Sequence, residues 1–124
     1  MRTLSDSEHF KTQTDETLCR LTQQGNRSAF SVLVHRYTDM VQAIAGRYSY
    51  IPGMEQEDLA QEATLALHRA ALSYQPDKKA QFKTYANRVI ENQMIDLVRK
   101  HMPEGAHLPF DTTLDSSPQT PQEI

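Results

Sequence analysis

The residues of this chain able to do chemistry fall into three groups, and two of them form a pattern. The first group is scattered. The five histidines, His9, His35, His68, His101 and His107, lack metal-ligand spacing, and Cys19 has no second thiol near it. Asp39 follows His35 by four residues, which on a helix ordinarily gives a surface hydrogen bond. There is no glycine-rich phosphate loop. These features argue against an enzyme, and no metal or cofactor is expected. The second group is acidic: Glu55, Glu57, Asp58 and Glu62 occur close together with no base among them. The third is basic. Arg69, Lys78, Lys79, Lys83, Arg88, Arg99 and Lys100 stand against Asp77, Glu91 and Asp96.

Each charged group has a bland reading and a functional one. Asp58 and Glu62, four apart, share one helix face with Gln61 and Leu65, a like-charge pairing that costs about 0.2–0.5 kcal/mol. In one reading Asp58 complements the helix dipole and Glu62 is merely solvated; in the other the face docks a basic partner, with Leu65 as its apolar anchor. In "AQFKTYANRVIENQMIDLVRKH", Phe82, Tyr85, Ala86, Val89, Ile90, Met94, Leu97 and Val98 have core spacing. Its cations are then an ordinary wet face. Alternatively, Lys83, Asn87, Arg88 and Asn92 join cations for phosphates to amides for base edges. An aromatic beside them offers a stacking surface worth about 1–3 kcal/mol per unpaired base.

The elements that position these residues are helical, since the apolar residues recur at helical and not at strand spacing. A short helix is expected from Asp15 to about Gln24, with Asp15 as N-cap and Gly25 as its stop. Asn26 or Ser28 opens a second, about 20 residues long, on the apolar series Phe30, Leu33, Val34, Tyr37, Val41, Ile44, Ala45 and Tyr48. Pro52 and Gly53 interrupt it. A third begins near Glu55, where acids suit the positive end of a helix dipole, and runs to the turn "QPDKK". The fourth ends at Pro103 and Gly105. The expected fold is an all-α bundle of about four helices. Residues 1–14 are an N-terminal extension, 15–102 the helical domain, and 103–124 a flexible acidic linker or tail.

Composition bounds the setting. A chain of 124 residues, 38% hydrophobic and 23% charged, fits one globular domain. Its net charge of −3 does not suit a protein that coats nucleic acid indiscriminately. No apolar run nears the ~20 residues of a membrane span. The N-terminus lacks a hydrophobic leader core, and a lone cysteine suits a reducing cytosol. The alternation of acidic patch, basic patch and acidic tail points to two partners rather than one active site.

The order of these pieces resembles bacterial sigma factors of the sigma-70 family, in their region 2. The segment "DLAQEATLALHRAALSYQPDKKAQFKTYANRVIENQMIDLVRK" is similar to that family's acidic "D-L-x-Q-E" helix, basic turn, "F-x-T-Y-A" and closing "N-x-x-I-D-x-x-R". Asp58, Leu59, Gln61, Glu62, Leu67, Ala70, Tyr74, Phe82, Thr84, Tyr85, Ala86, Asn92, Ile95, Asp96 and Arg99 fall in register. Upstream, "DETLCRLTQQGNRSAFSVLVHRY" resembles the usual lead-in, so the likeness covers about residues 15 to 101. It implies that Asp58, Gln61 and Glu62, with Leu65 beside them, dock on the beta-prime clamp helices of RNA polymerase core. It also implies that the last helix meets the promoter −10 element. Tyr85 would stack a base that leaves the duplex, Lys83 and Arg88 would meet phosphates, and Asn92, Ile95 and Arg99 would face the upstream duplex.

Two departures qualify the resemblance. Housekeeping members carry paired tryptophans where this chain has Arg88 and Val89, whereas alternative, extracytoplasmic-function and sporulation-like types often lack them. The chain also stops at Ile124, without the region 4 domain that reads the −35 element. It is read as an excised half or as a naturally short protein. The expected partners are polymerase core, −10 DNA and, for such types, an anti-sigma factor; the expected place is the cytoplasm. The rival reading is a truncated regulator that binds the clamp or an anti-sigma factor without reading promoters.

Overall fold

Helix ends are decided by the side chains that satisfy their free N–H and C=O groups. The structure, a computed structural model, describes residues 6–76 and 80–102. Among the described residues there are six helices and no strand: α1 (Asp6–Phe10), α2 (Asp15–Gln23), α3 (Arg27–Arg36), α4 (Thr38–Arg47), α5 (Gln56–Ser73) and α6 (Phe82–His101). Thr14 opens α2, its side-chain oxygen accepting the Thr17 N–H at 3.1 Å. Asp15, expected as that cap, is instead the first helical residue, and its carboxylate accepts from Arg36 and from the Tyr37 hydroxyl. Gly25 follows the helix at φ +93°, where a side chain would be strained. Asn26 then caps α3 by accepting the Ala29 N–H at 3.0 Å. At the head of α5, Asp58 Oδ2 accepts the Glu55 N–H at 2.9 Å, part of a capping box.

The long helix expected up to Tyr48 is in fact two. Tyr37 leaves helical geometry at φ −109° and ψ 19°. The hydrogen-bond ladder bends there without ending, because Tyr37 N–H still reaches Leu33 O at 3.0 Å and Val41 N–H reaches Tyr37 O at 2.9 Å. Two side chains account for the bend. Thr38 Oγ1 donates back to Val34 O at 2.9 Å, a bond that bends helices, and the Tyr37 hydroxyl is committed to Asp15.

Packing centres on a hairpin of α5 and α6. Ser73 meets Tyr85, while Arg69 and Glu62 both meet Gln93, so the two helices run antiparallel. Ala63, Ala66, Ala70 and Ala71 on α5, with Ala86 on α6, are fully buried; such small side chains let neighbouring helices come close. Leu59, Leu67, Phe82, Ile90 and Met94 fill the remaining space, with Leu18, Leu33, Ile44 and Ile51 from the other side. Phe82 takes Tyr74 and Tyr37 edge-on, at ring-centroid distances of 5.3 and 5.8 Å. Phe10 of α1 joins the same core, so part of the segment read as an extension is fastened to the bundle. Cys19 is 1% exposed; burial, with Asp15 and Glu16 nearby, pushes its thiol up to about 12. The acidic segment 103–124, the helix stops Pro103 and Gly105 within it, and residues 77–79 of the basic turn lie outside the described residues.

Candidate functional site

A helix that buries one alanine-rich side must turn the other outward. On α5 that outer side carries Asp58, Gln61, Leu65, Arg69 and Leu72, all exposed, with Glu62 half-buried at its margin. Leu65 is 55% exposed and Leu72 45%. Seven residues apart, they lie nearly in line along the helix. Beside Leu65 a groove of about 760 Å³ runs between α4 and α5, lined by Gln42, Gln56, Glu57, Ala60, Gln61 and Thr64. Gln56 Nε2 donates to Gln42 Oε1 at 3.0 Å and joins its two walls. The structure thus brings together all four residues expected to bind polymerase. Asp58 holds the helix start as well, so its bland role is real and leaves its face exposed.

On α6 the expected residues separate. Tyr85, Arg88, Asn92 and Arg99 fall within roughly 60° of one another around the axis. Lys83 and Asn87 stand roughly half a turn from Tyr85. Theirs is the side of Glu91, which accepts from Arg47 and, at 2.8 Å, from the Tyr48 hydroxyl of α4. Lys83, Arg88 and Arg99 are exposed; Asn87 and Asn92 are half-buried. Ile95, expected to face the duplex, is 9% exposed and lies outside the main core cluster. An aliphatic side chain gains about 1.5–3 kcal/mol from burial, and here it is largely covered. The Asn92 amide nitrogen is also sealed, with no partner among the described residues. A buried donor left so costs about 1–3 kcal/mol.

Between α5 and α6 lies a second groove, of about 740 Å³, with Gln23, Arg69, Leu72, Tyr74, Tyr85, Asn92, Gln93 and Asp96 among its lining. Amides and aromatic rings in one concave surface suit a flat polar group, with Arg69 and Asp96 giving the lining one charge of each sign. Tyr85 is half-buried here, its ring 5.6 Å from that of Tyr74 and its hydroxyl 2.7 Å from Ser73 Oγ. Arg69 Nη2 donates to Gln93 Oε1 at 2.8 Å, and Gln93 Nε2 donates to Glu62 Oε1 at 3.0 Å. One amide therefore ties the acidic face to the groove. Arg99, Lys100 and His101 also sit in the last turn of α6, where cations complement the helix dipole.

Sequence reasoning missed Leu72, Gln93 and Gln23. The first had a signal, its spacing from Leu65. The two glutamines had none, because their partners lie on other helices.

The family model for sigma-70 region 2 matches residues 33–103. The chain belongs to that family. Within it, the likeness is to alternative and extracytoplasmic-function sigma factors. The RNA polymerase sigma-H factor of Bacillus licheniformis is 28% identical over 109 residues, covering 84% of this chain and 48% of that protein. The RNA polymerase sigma-E factor of Clostridium acetobutylicum is 30% identical over 100 residues, covering 81% and 42%. The ECF RNA polymerase sigma-E factor of Escherichia coli K12 is 34% identical over 79 residues, covering 64% and 39%. The chain spans about half the length, or less, of these relatives. No solved structure matches it.

Proposed function

We propose that the chain acts as region 2 of an alternative sigma factor. It binds RNA polymerase core through α5 and engages the promoter −10 element through α6, with no catalysis of its own. The observation that carries this reading is the hairpin: an exposed stripe of Asp58, Gln61 and Leu65 on one helix beside exposed Arg88 and Arg99, flanking half-buried Tyr85, on the other. The acids and Leu65 fit a basic, partly apolar partner such as the beta-prime clamp helices. On α6, Tyr85 stacks an unpaired base while Arg88 and Arg99 meet phosphates. Asn92 contributes after rotation of its amide, and Lys83 and Asn87 serve strands that pass on the far side of α6. Ile95 supports this face from beneath. Opening DNA costs about 1.4 kcal/mol per base-pair step, an amount that stacking of one base, about 1–3 kcal/mol, offsets.

The relatives are named as RNA polymerase sigma factors, which favours promoter recognition over a regulator that only occupies the clamp. An anti-sigma factor would act by covering either stripe. The working unit is residues 15–102 with α1 packed against it through Phe10, placed in the cytoplasm with the polymerase. No helix among the described residues is long and apolar enough to cross a membrane. The test is capture of polymerase core by the chain and by the triple variant Asp58→Ala, Gln61→Ala, Glu62→Ala. Loss of capture with an unchanged circular dichroism spectrum is expected; undiminished capture refutes the docking assignment.

A further inference from the structure

We propose that Gln23 of α2 is a positioning residue for promoter capture, because its amide fixes the end of α5 against which Tyr85 stands. This rests on the region 2 reading above. The argument begins at the C-terminus of α5. The last carbonyls of a helix lack partners within it, and here one side chain from another helix meets two acceptors at this end. Gln23 Nε2 donates to Ala71 O at 2.8 Å and to Tyr74 O at 3.1 Å.

What those carbonyls hold in place is the seat of Tyr85. Tyr74 is 5% exposed; its ring touches those of Phe82 and Tyr85, and its hydroxyl donates to Ala80 O at 2.8 Å, across the turn. Its neighbour Ser73 pairs with the Tyr85 hydroxyl at 2.7 Å. The Gln23 amide thus fixes backbone on both sides of Ser73, and Ser73 and Tyr74 together fix Tyr85. Gln23 is exposed, so replacing it removes no core packing. The interaction needs a donor, since both partners are carbonyl oxygens. Gln23→Glu keeps the shape but puts a carboxylate against two acceptors. Gln23→Lys keeps a donor and adds a positive charge, which is favourable at a helix C-terminus.

The full chain of each variant is measured alone and with polymerase core. In Gln23→Glu, amides of residues 72–75 and 80–85 are expected to exchange hydrogen about tenfold faster, and the core complex to bind a single-stranded −10 probe about tenfold more weakly. Core affinity is expected to stay within about twofold, and Gln23→Lys to restore both other readouts. Unchanged exchange overturns the claim that Gln23 fixes this end of α5. Faster exchange with undiminished probe binding overturns its role in capture. If the wild-type complex fails to bind the probe, the region 2 reading falls and takes the capture role with it, while the exchange data still judge the contact itself.

Discussion

The side-chain amide of Gln93 on α6 donates to the carboxylate of Glu62 on α5 at 3.0 Å, so one face of the hairpin is oriented from the other. Gln93 also accepts from Arg69, which leaves the Glu62 carboxylate fixed in direction and its second oxygen free of this contact. Gln93→Ala is therefore expected to weaken polymerase-core binding about threefold to tenfold, the loss of one hydrogen bond's ordering. Biolayer interferometry on immobilised core measures it. Unaltered affinity would show that Glu62 needs no such support.

Tyr85 combines a ring and a tethered hydroxyl, and two substitutions separate them. Tyr85→Ala should weaken capture of a −10 single strand by the polymerase complex by about 1–3 kcal/mol, the range for one stacked base. Tyr85→Phe keeps the ring and loses only the Ser73 contact, so its loss should be smaller. Equal losses in a fluorescence-anisotropy titration would assign the effect to the hydroxyl instead.

The separation of cations around α6 has a salt signature. Each phosphate contact contributes about 0.7 to the slope of log affinity against log salt for a single strand. Arg88→Ala should lower the slope by about that much. Lys83→Ala, on the other side of the helix, should lower it less. The reverse ranking would put the strand on the Lys83 side.

Alkaline stability should fall from about pH 9. Burial raises the Cys19 thiol from its ordinary 9.0 to about 12. Burial also raises Tyr37 and Tyr48, each helped by its hydrogen bond to Asp15 or Glu91. A folded-state value above the unfolded one means that the folded chain keeps its proton longer. The resulting stability is complete below the unfolded value and is lost as pH rises toward the folded one. Urea unfolding between pH 8 and 11 should show this decline, and Cys19→Ala should make it shallower. An identical slope in the variant would remove Cys19 from the account.

Core and surface leucine or aromatic positions should separate cleanly in stability. Phe82→Ala, which empties a site 1% exposed, should cost about 3–5 kcal/mol. Leu72→Ser, on the exposed stripe, should stay within about 0.5 kcal/mol. Guanidinium unfolding monitored by circular dichroism compares them; a large loss from Leu72→Ser would mean that its face is packed.

Much of the architecture was legible in the sequence. The spacing of Phe82, Val89, Ile90 and Met94 gave α6, and Gly25 and Asn26 gave the junction of α2 and α3. The break at Tyr37 was hidden because one non-helical residue leaves the apolar period nearly intact on both sides. Thr14 does not stand out as the cap in the sequence because Asp15 is an equally good one by type. Proximity in sequence groups Lys83 and Asn87 with Arg88 and ignores rotation about the axis. Motif register sets Ile95 on this face but cannot report how far its side chain is covered. The links through Gln93 and Gln23 are tertiary; an amide on a wet helix carries no period from which to find its partner.

The enclosed sulfur of Cys19 has a practical corollary. A thiol kept protonated and sheltered at neutral pH is a poor target for maleimides. Fluorophores attached through Leu65→Cys or Arg88→Cys would therefore report from one chosen surface each, in an otherwise natural background, as binding partners arrive.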